Sequence, residues 1–202
     1  SPFQSRLLCA RGISDPDSAR TFLNPRLEDL PHPTLLKGMR EAAERAAQAL
    51  HNGERIAILG DYDVDGISSA ALCVWFFRAI GEPLETYIPD RERDGYGMNR
   101  SAVDALHARG VGLLLTADCG TTNIDEIRHS RSLGMDVVVL DHHEVGTEAP
   151  AAFALLNPKK PDSGYPDLGL CSTALTFLFL SALRQCLKEE GRFGATPPPN
   201  LS

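Results

Sequence analysis

At 202 residues, with 43% apolar and 23% charged residues, the chain has the make-up of one ordinary folded domain, or of one and a small arm. That excludes a fibrous or disordered protein, and the absence of any run of about 18 apolar residues excludes a membrane-spanning helix. The net charge of −7 argues against nucleic acid as a partner, unless the acids are gathered in one place.

The elements read as follows in chain order. Residues 1–37 form a peripheral arm, with one helix over 15–23 and then Pro25, Pro31 and Pro33. The start shows no signal-peptide pattern. Met39–His51 is alanine-rich and stops before Gly53, a natural helix terminator. A strand over 55–59 is followed by a helix over 67–80, with Ile67, Ala70, Ala71, Val74 and Phe77 on its buried stripe and Gly81 ending it. A second strand runs over 84–88. Asn99 or Ser101 caps a helix through Ala108, closed by Gly110. Then come a strand at 112–116, a helix at 124–133 ending on Gly134, a strand at Asp136–Leu140, a weak strand at Ala154–Leu156 and a long helix at 173–187. The tail 191–202, with three successive prolines, reads as linker.

The strands are continuous apolar runs rather than alternating ones. They are therefore expected to be buried on both faces, in a mostly parallel sheet flanked by helices, an α/β doubly wound domain over 38–190. The five cysteines, Cys9, Cys73, Cys119, Cys171 and Cys186, are odd in number, far apart and without a CxxC pair. They read as reduced thiols of a cytoplasmic protein.

Three stretches carry the chemistry, and all follow strands. GDYDVDG places Asp61, Asp63 and Asp65 at alternate positions after the first strand; Asp118 follows the strand at 112–116; Asp141, His142 and His143 follow Asp136–Leu140. The carboxyl ends of parallel strands share one edge, where ligands bind, so these residues are expected to converge. Five of the negative charges belong to Asp61, Asp63, Asp65, Asp118 and Asp141, leaving −2 elsewhere, so bound cations would offset most of the acidity. Carboxylates favour magnesium, manganese or calcium, and imidazole moves the preference toward manganese or a later metal. A shared carboxylate could bridge two ions about 3.5–4 Å apart, a pair that activates water and stabilises the leaving oxygen in phosphoester cleavage. Gly66 and Gly120, close behind acids, would let backbone approach a phosphate or a metal-bound ligand.

Blander readings compete. One aspartate after a strand is ordinarily a helix cap or turn residue. DxDxDG opens calcium loops, but the glutamate required at the twelfth position is Leu72 here. A thiolate nucleophile at Cys119 is opposed by the neighbouring Asp118. No glycine-rich phosphate loop is present. Lys159 and Lys160 read as solvated loop rather than phosphate contacts. Three acid clusters at three strand ends are harder to explain as caps.

GDYDVDG, LLLTADCG and VVVLDHHE resemble the first three motifs of the DHH phosphoesterase superfamily, in the form of the RecJ single-strand-specific DNA exonucleases. PDRERDGYGMN and LLNPKKPDSGYPDLGLCSTALTF are similar to the intervening and following segments, and the resemblance covers about 36–187. It implies that Asp63 and Asp65 each ligate one of two manganese (or magnesium) ions, that Asp118 bridges both and that His142 is a ligand. His143 would contact the scissile phosphate or assist the leaving group, with Asp141 orienting its loop. Arg91 and the glycines of 94–97, Gly95 and Gly97 among them, would face the nucleic-acid phosphate. The implied activity is stepwise 5′→3′ removal of nucleotides from single-stranded DNA in repair and recombination, with recombination or single-strand-binding proteins as partners. The alternatives are a relative acting on oligonucleotides or cyclic dinucleotides, and a non-catalytic replication scaffold. Many relatives carry His where this chain has Leu59, so either Asp61 supplies the missing ligand or the first metal is held more loosely. The fourth motif, a further aspartate ligand and the later domains are not in the sequence. It reads as an N-terminal fragment, expected to have weak or no processive activity.

Overall fold

The computed structural model describes residues 1–92, 95–194 and 197–201. They fall into two compact units, 1–32 and 33–201.

The first unit holds α1 (Pro2–Cys9) and α2 (Pro16–Leu23). Each has proline in its first turn and a side-chain cap, from Ser1 and Asp15. The sequence pattern gives only the second. Neither helix buries a residue, so α1 has no core-facing stripe to betray it; its signal is the Ser1–Gln4 capping box.

In the second unit a short turn at Pro33–Leu35 leads Leu36 into the core, and the Lys37 N–H donates to the Ser163 carbonyl at 2.7 Å. There follow α3 (Met39–His51), β1 (Arg55–Gly60), α4 (Val64–Ala79), β2 (Glu85–Tyr87), α5 (Arg100–Ala108), β3 (Val111–Ala117), α6 (Ile124–Ser132), β4 (Asp136–Leu140), β5 (Ala154–Leu156) and α7 (Ser172–Glu189). The strands pair in the order β2-β1-β3-β4-β5, all parallel. Alternate residues serve two cores. Ile56, Ile58, Leu113, Leu115, Val138 and Leu140 pack with α3, α4 and α7. Ala57, Leu59, Leu114, Val137 and Val139 pack with α5 and α6 on the opposite face. This is the expected α/β domain, apolar on both faces of the sheet because both are covered.

The register sets the site. Gly60 lies beside Ala117, and Ala117 beside Leu140, so β1, β3 and β4 end in line. The ladder runs one residue further: the N–H groups of Asp61, Asp118 and Asp141 donate to the carbonyls of Ala117, Leu140 and Leu156 at 3.2, 3.0 and 3.2 Å. Three aspartates thus leave the sheet from adjacent strands at one level.

Two expectations need correction. In α4 the buried residues are Gly66, Ser69, Ala70, Cys73, Phe76 and Phe77, while Ile67, Ala71 and Val74 are exposed. This helix is apolar nearly all round, so no single stripe stands out, and its rotation is fixed by backbone contact at Gly66. A Cβ there would lie 2.3 Å from the Asp61 carbonyl oxygen, and one at Gly60 would lie 2.5 Å from the Gly66 oxygen. The space spared at Gly66 is filled by the Asp61 backbone rather than by a ligand. At Gly120, φ is +118°, and a Cβ would meet Thr116 Oγ1 and Val139 within 2.8 Å, so there too protein atoms occupy the room.

Candidate metal centre

Asp61, directly after β1, is fully buried. Its Oδ1 accepts the Gly97 N–H at 3.3 Å, and its Oδ2 is buried without a hydrogen-bond partner. A carboxylate oxygen left so is costly unless something positive meets it. Asp63 is exposed and caps α4, its Oδ1 accepting from Asp65 N at 2.8 Å and Gly66 N at 3.1 Å.

Asp118, after β3, is buried and takes a left-handed backbone, φ 63°. Among the described residues it is the only non-glycine with positive φ, an arrangement that aspartate tolerates better than most side chains. Burial, the facing Asp63 carboxyl and the Asp65 charge push its pKa up to about 7.

Asp141, after β4, is buried with both oxygens engaged. Oδ1 accepts His142 N at 2.8 Å, His143 N at 3.2 Å and His143 Nδ1 at 2.7 Å; Oδ2 accepts Thr121 N at 2.9 Å. Burial raises its pKa, but the Thr121 and His143 hydrogen bonds win and hold it below the usual range. His142 Nε2 stands 3.2 Å from Asp118 Oδ1 and 3.6 Å from Asp65 Oδ2. Burial lowers the His143 pKa, yet its bond to Asp141 and the charges of Asp141 and Asp118 carry it above the ordinary value.

Asp65 leans toward α7. Its Oδ2 accepts Ser172 N at 2.7 Å, and its Oδ1 accepts Thr173 N at 2.8 Å and Thr173 Oγ1 at 2.6 Å. These bonds outweigh burial and lower its pKa.

Two sets of side chains have donor atoms all within 4.8 Å of one another: Asp61, Asp63 and Asp118, and Asp118, His142 and His143. Asp118 belongs to both. Asp63, Asp65, Asp118, His142, His143 and Thr173 open on one cleft of about 570 Å³. Among the described residues no lysine or arginine forms an ion pair with Asp61, Asp63, Asp65 or Asp118.

None of the expected substrate residues Arg91, Gly95 and Gly97 lines this cleft, but a chain of ring contacts links Arg91 to His143, which does. The Arg91 guanidinium stands over the Tyr62 ring at 5.7 Å, Tyr62 meets Tyr96 edge-on at 6.1 Å, and Tyr96 meets His143 at 6.4 Å. Gly95 is exposed; Gly97 is buried, its N–H given to Asp61 and its Cα close against Cys119. Asp94 lies outside the described residues. Leu59 packs into the α5–α6 core. Lys159 pairs with Glu144, and Lys160 donates to the Leu155 carbonyl. Cys119 is buried, and its thiol is pushed well up by burial and then by Asp141 and Asp61, the opposite of an activated nucleophile.

Several residues here were not singled out from the sequence. The Tyr96 hydroxyl lies 3.3 Å from the Asp118 carbonyl and 3.4 Å from His143 Nε2. Asn157 Nδ2 donates to Thr121 Oγ1 at 3.0 Å and the His143 carbonyl at 2.9 Å. Thr173 reads from the sequence only as the start of a helix, and Ser172 as the residue before it. The available signal was that Ser-Thr opens α7 behind Cys171, which makes no side-chain cap of its own.

Residues 55–196 match the family model described as "DHH family, N-terminal domain". The chain is 37% identical over 190 residues to the single-stranded-DNA-specific exonuclease RecJ of Bacillus subtilis (strain 168), covering 94% of this chain and 24% of that protein. Its fold matches the crystal structure of exonuclease RecJ bound to manganese at a TM-score of 0.68 and 37% identity, over 81% of this chain and 40% of that one. It matches RecJ in complex with Mn2+ from Thermus thermophilus at 0.69 and 33% identity, over 95% and 25%. The chain thus spans about a quarter of the length of the B. subtilis relative.

Proposed function

The chain belongs to the DHH family, and from that premise we propose that it carries the metal centre of an exonuclease hydrolysing phosphodiester bonds of single-stranded DNA from the 5′ end. One observation carries the reading: buried Asp118 is common to two clusters of metal-donor atoms, and among the described residues no lysine or arginine forms an ion pair with its carboxylate. The donor set fits manganese or magnesium, with carboxylates for a hard divalent ion and imidazole for manganese. The orphaned, buried Asp61 Oδ2 supports a cation at this place.

In this reading Asp61, Asp63, Asp65, Asp118 and His142 hold two ions, with Asp118 between them. Bound divalent ions supply Lewis acidity at the phosphoryl oxygens and lower the pKa of water. Asp141 fixes the His143 ring through Nδ1 and holds its proton, so Nε2, beside the Tyr96 hydroxyl at 3.4 Å, is the ring atom that serves the scissile phosphate or the leaving oxygen. Arg91, braced on Tyr62, meets the DNA backbone. No helix among the described residues is long and apolar enough to cross a membrane; a cytoplasmic place beside recombination or single-strand-binding proteins belongs to the same proposal.

Manganese titration of the chain beside Asp118→Asn, and release of label from 5′-labelled single strands with manganese or EDTA, test it. Metal binding that Asp118→Asn abolishes, with label release only when metal is present, is expected. A wild-type chain that binds no manganese overturns the reading.

A further inference from the structure

Helix α7 is capped by a carboxylate from elsewhere in the chain. Cys171 at its N-cap does not cap the helix with its own side chain, which instead hydrogen-bonds Asp65, and the N–H groups of Ser172 and Thr173 are taken by Asp65, 107 and 108 positions earlier. The Thr173 hydroxyl adds a third bond. It has one proton and two acceptors near it, Asp65 Oδ1 at 2.6 Å and the Asp65 carbonyl at 3.1 Å; the carbonyl already receives the Ser69 hydroxyl at 2.7 Å, so the side-chain oxygen takes the proton. Next to it, the Ser172 hydroxyl lies 3.3 Å from Asp118 Oδ1. Two consecutive residues of α7 thus grip one acid from the first turn of α4 and one from the loop after β3.

The distribution over the Asp65 oxygens is uneven. Oδ1 carries two donors. Oδ2 carries one, from Ser172 N, and faces His142 Nε2 at 3.6 Å, on the cleft side. A carboxylate oxygen accepts two bonds, so the α7 cap by itself fills only one position on Oδ2, and the Cys171 thiol that also bonds Asp65 gives up its weak contact more readily than the backbone does when an ion enters. Resting on the metal-centre reading above, we infer that Ser172 and Thr173 are positioning residues of that centre: α7 fixes the rotation of Asp65, and with it which oxygen is offered to the ion, and the Ser172 hydroxyl steadies Asp118. Partners of this kind, behind the ligands, govern affinity as ligand orientation does.

A mere helix cap would need only the two backbone N–H groups, which no side-chain substitution removes. Thr173→Val keeps shape and loses the hydroxyl; Thr173→Ser keeps the hydroxyl. Calorimetric titration of the metal-free chain with manganese chloride reads the difference, with the melting temperature in EDTA as a control on folding. Expected is manganese binding weakened about tenfold in Thr173→Val and restored in Thr173→Ser. Wild-type affinity in Thr173→Val, or equal weakening in both variants, overturns the inference and leaves the metal centre standing. A wild-type chain that binds no manganese overturns both. Should Thr173→Val not fold, Ser172→Ala carries the test: weakened binding with an unchanged EDTA melt supports the inference, and unchanged affinity overturns it.

Discussion

His143 Nδ1 lies 2.7 Å from Asp141 Oδ1, and the same oxygen also accepts the His142 and His143 N–H groups. Asp141 therefore acts as the anchor of the two-histidine loop, its Oδ1 filled by three donors and its Oδ2 turned to the Thr121 N–H. Asp141→Asn would turn one acceptor oxygen into a donor among donors. We predict a loss of about 1–3 kcal/mol of stability in denaturant unfolding, from buried N–H groups left unmatched. We also predict a fall in the His143 pKa, because the bond and charge that raise it are gone. The sign follows: His143 would lose its proton at lower pH, so the alkaline limb of any metal-supported activity moves down. An imidazole titration followed by NMR that shows no downward shift would contradict the anchor role.

Metal-free stability should depend on pH through Asp118. Its folded pKa of about 7 exceeds the ordinary carboxyl value, so the folded chain binds this proton more tightly than the unfolded one. That contribution is whole below about pH 4 and is lost as pH rises through 7. Manganese should reverse the trend, since the ionised form is the ligand, and at a hundredfold excess over Kd it would add about 2.7 kcal/mol. Melting curves in EDTA and in manganese at pH 6 and 8 check this. The gain from metal should be larger at pH 8; an equal gain at both would refute it.

Much of this centre was legible because of one regularity. Buried parallel strands read as unbroken apolar runs, and Asp61, Asp118 and Asp141 each follow such a run, so convergence follows from topology alone. What stayed hidden depends on packing between distant segments. Nothing local to Ser172 and Thr173 says that Asp65 will lie on them. The facing of α4 was misread because a helix apolar on every side offers several equivalent stripes, and contact at Gly66 chose among them. Asp141 shows the limit from the other direction: as a residue type it resembles the proposed ligands, and only its three-donor grip on the two-histidine loop shows its anchoring part.

Gly66 should tolerate no side chain. A Cβ would meet three backbone atoms of Asp61 within 2.7 Å, and a strand end cannot yield as a flexible side chain would. Gly66→Ala is expected to cost about 3 kcal/mol or more, or to abolish folding. Gly146→Ala is the control, since its nearest neighbour stands 3.9 Å away. Chemical denaturation of both variants checks the pair, and comparable midpoints would refute the close approach.

Asp61 brings stability and function into opposition. Its carboxylate is fully buried, shares a cluster with Asp63 and Asp118, and leaves Oδ2 unpartnered, a burden on the folded chain when no cation is present. Asn in its place keeps a carbonyl oxygen for the Gly97 N–H, keeps the volume, and removes one negative charge from the cluster. In EDTA, Asp61→Asn should therefore melt no lower than wild type, and higher at pH 8, where Asp118 is ionised beside it. With manganese the order should invert, because the lost charge weakens binding by about tenfold or more and the metal-linked gain shrinks with it. Four melting curves, wild type and variant with and without manganese, decide the matter. A variant less stable in EDTA would mean that Asp61 is held by the fold for its own hydrogen bond, and that its charge is not there for an ion.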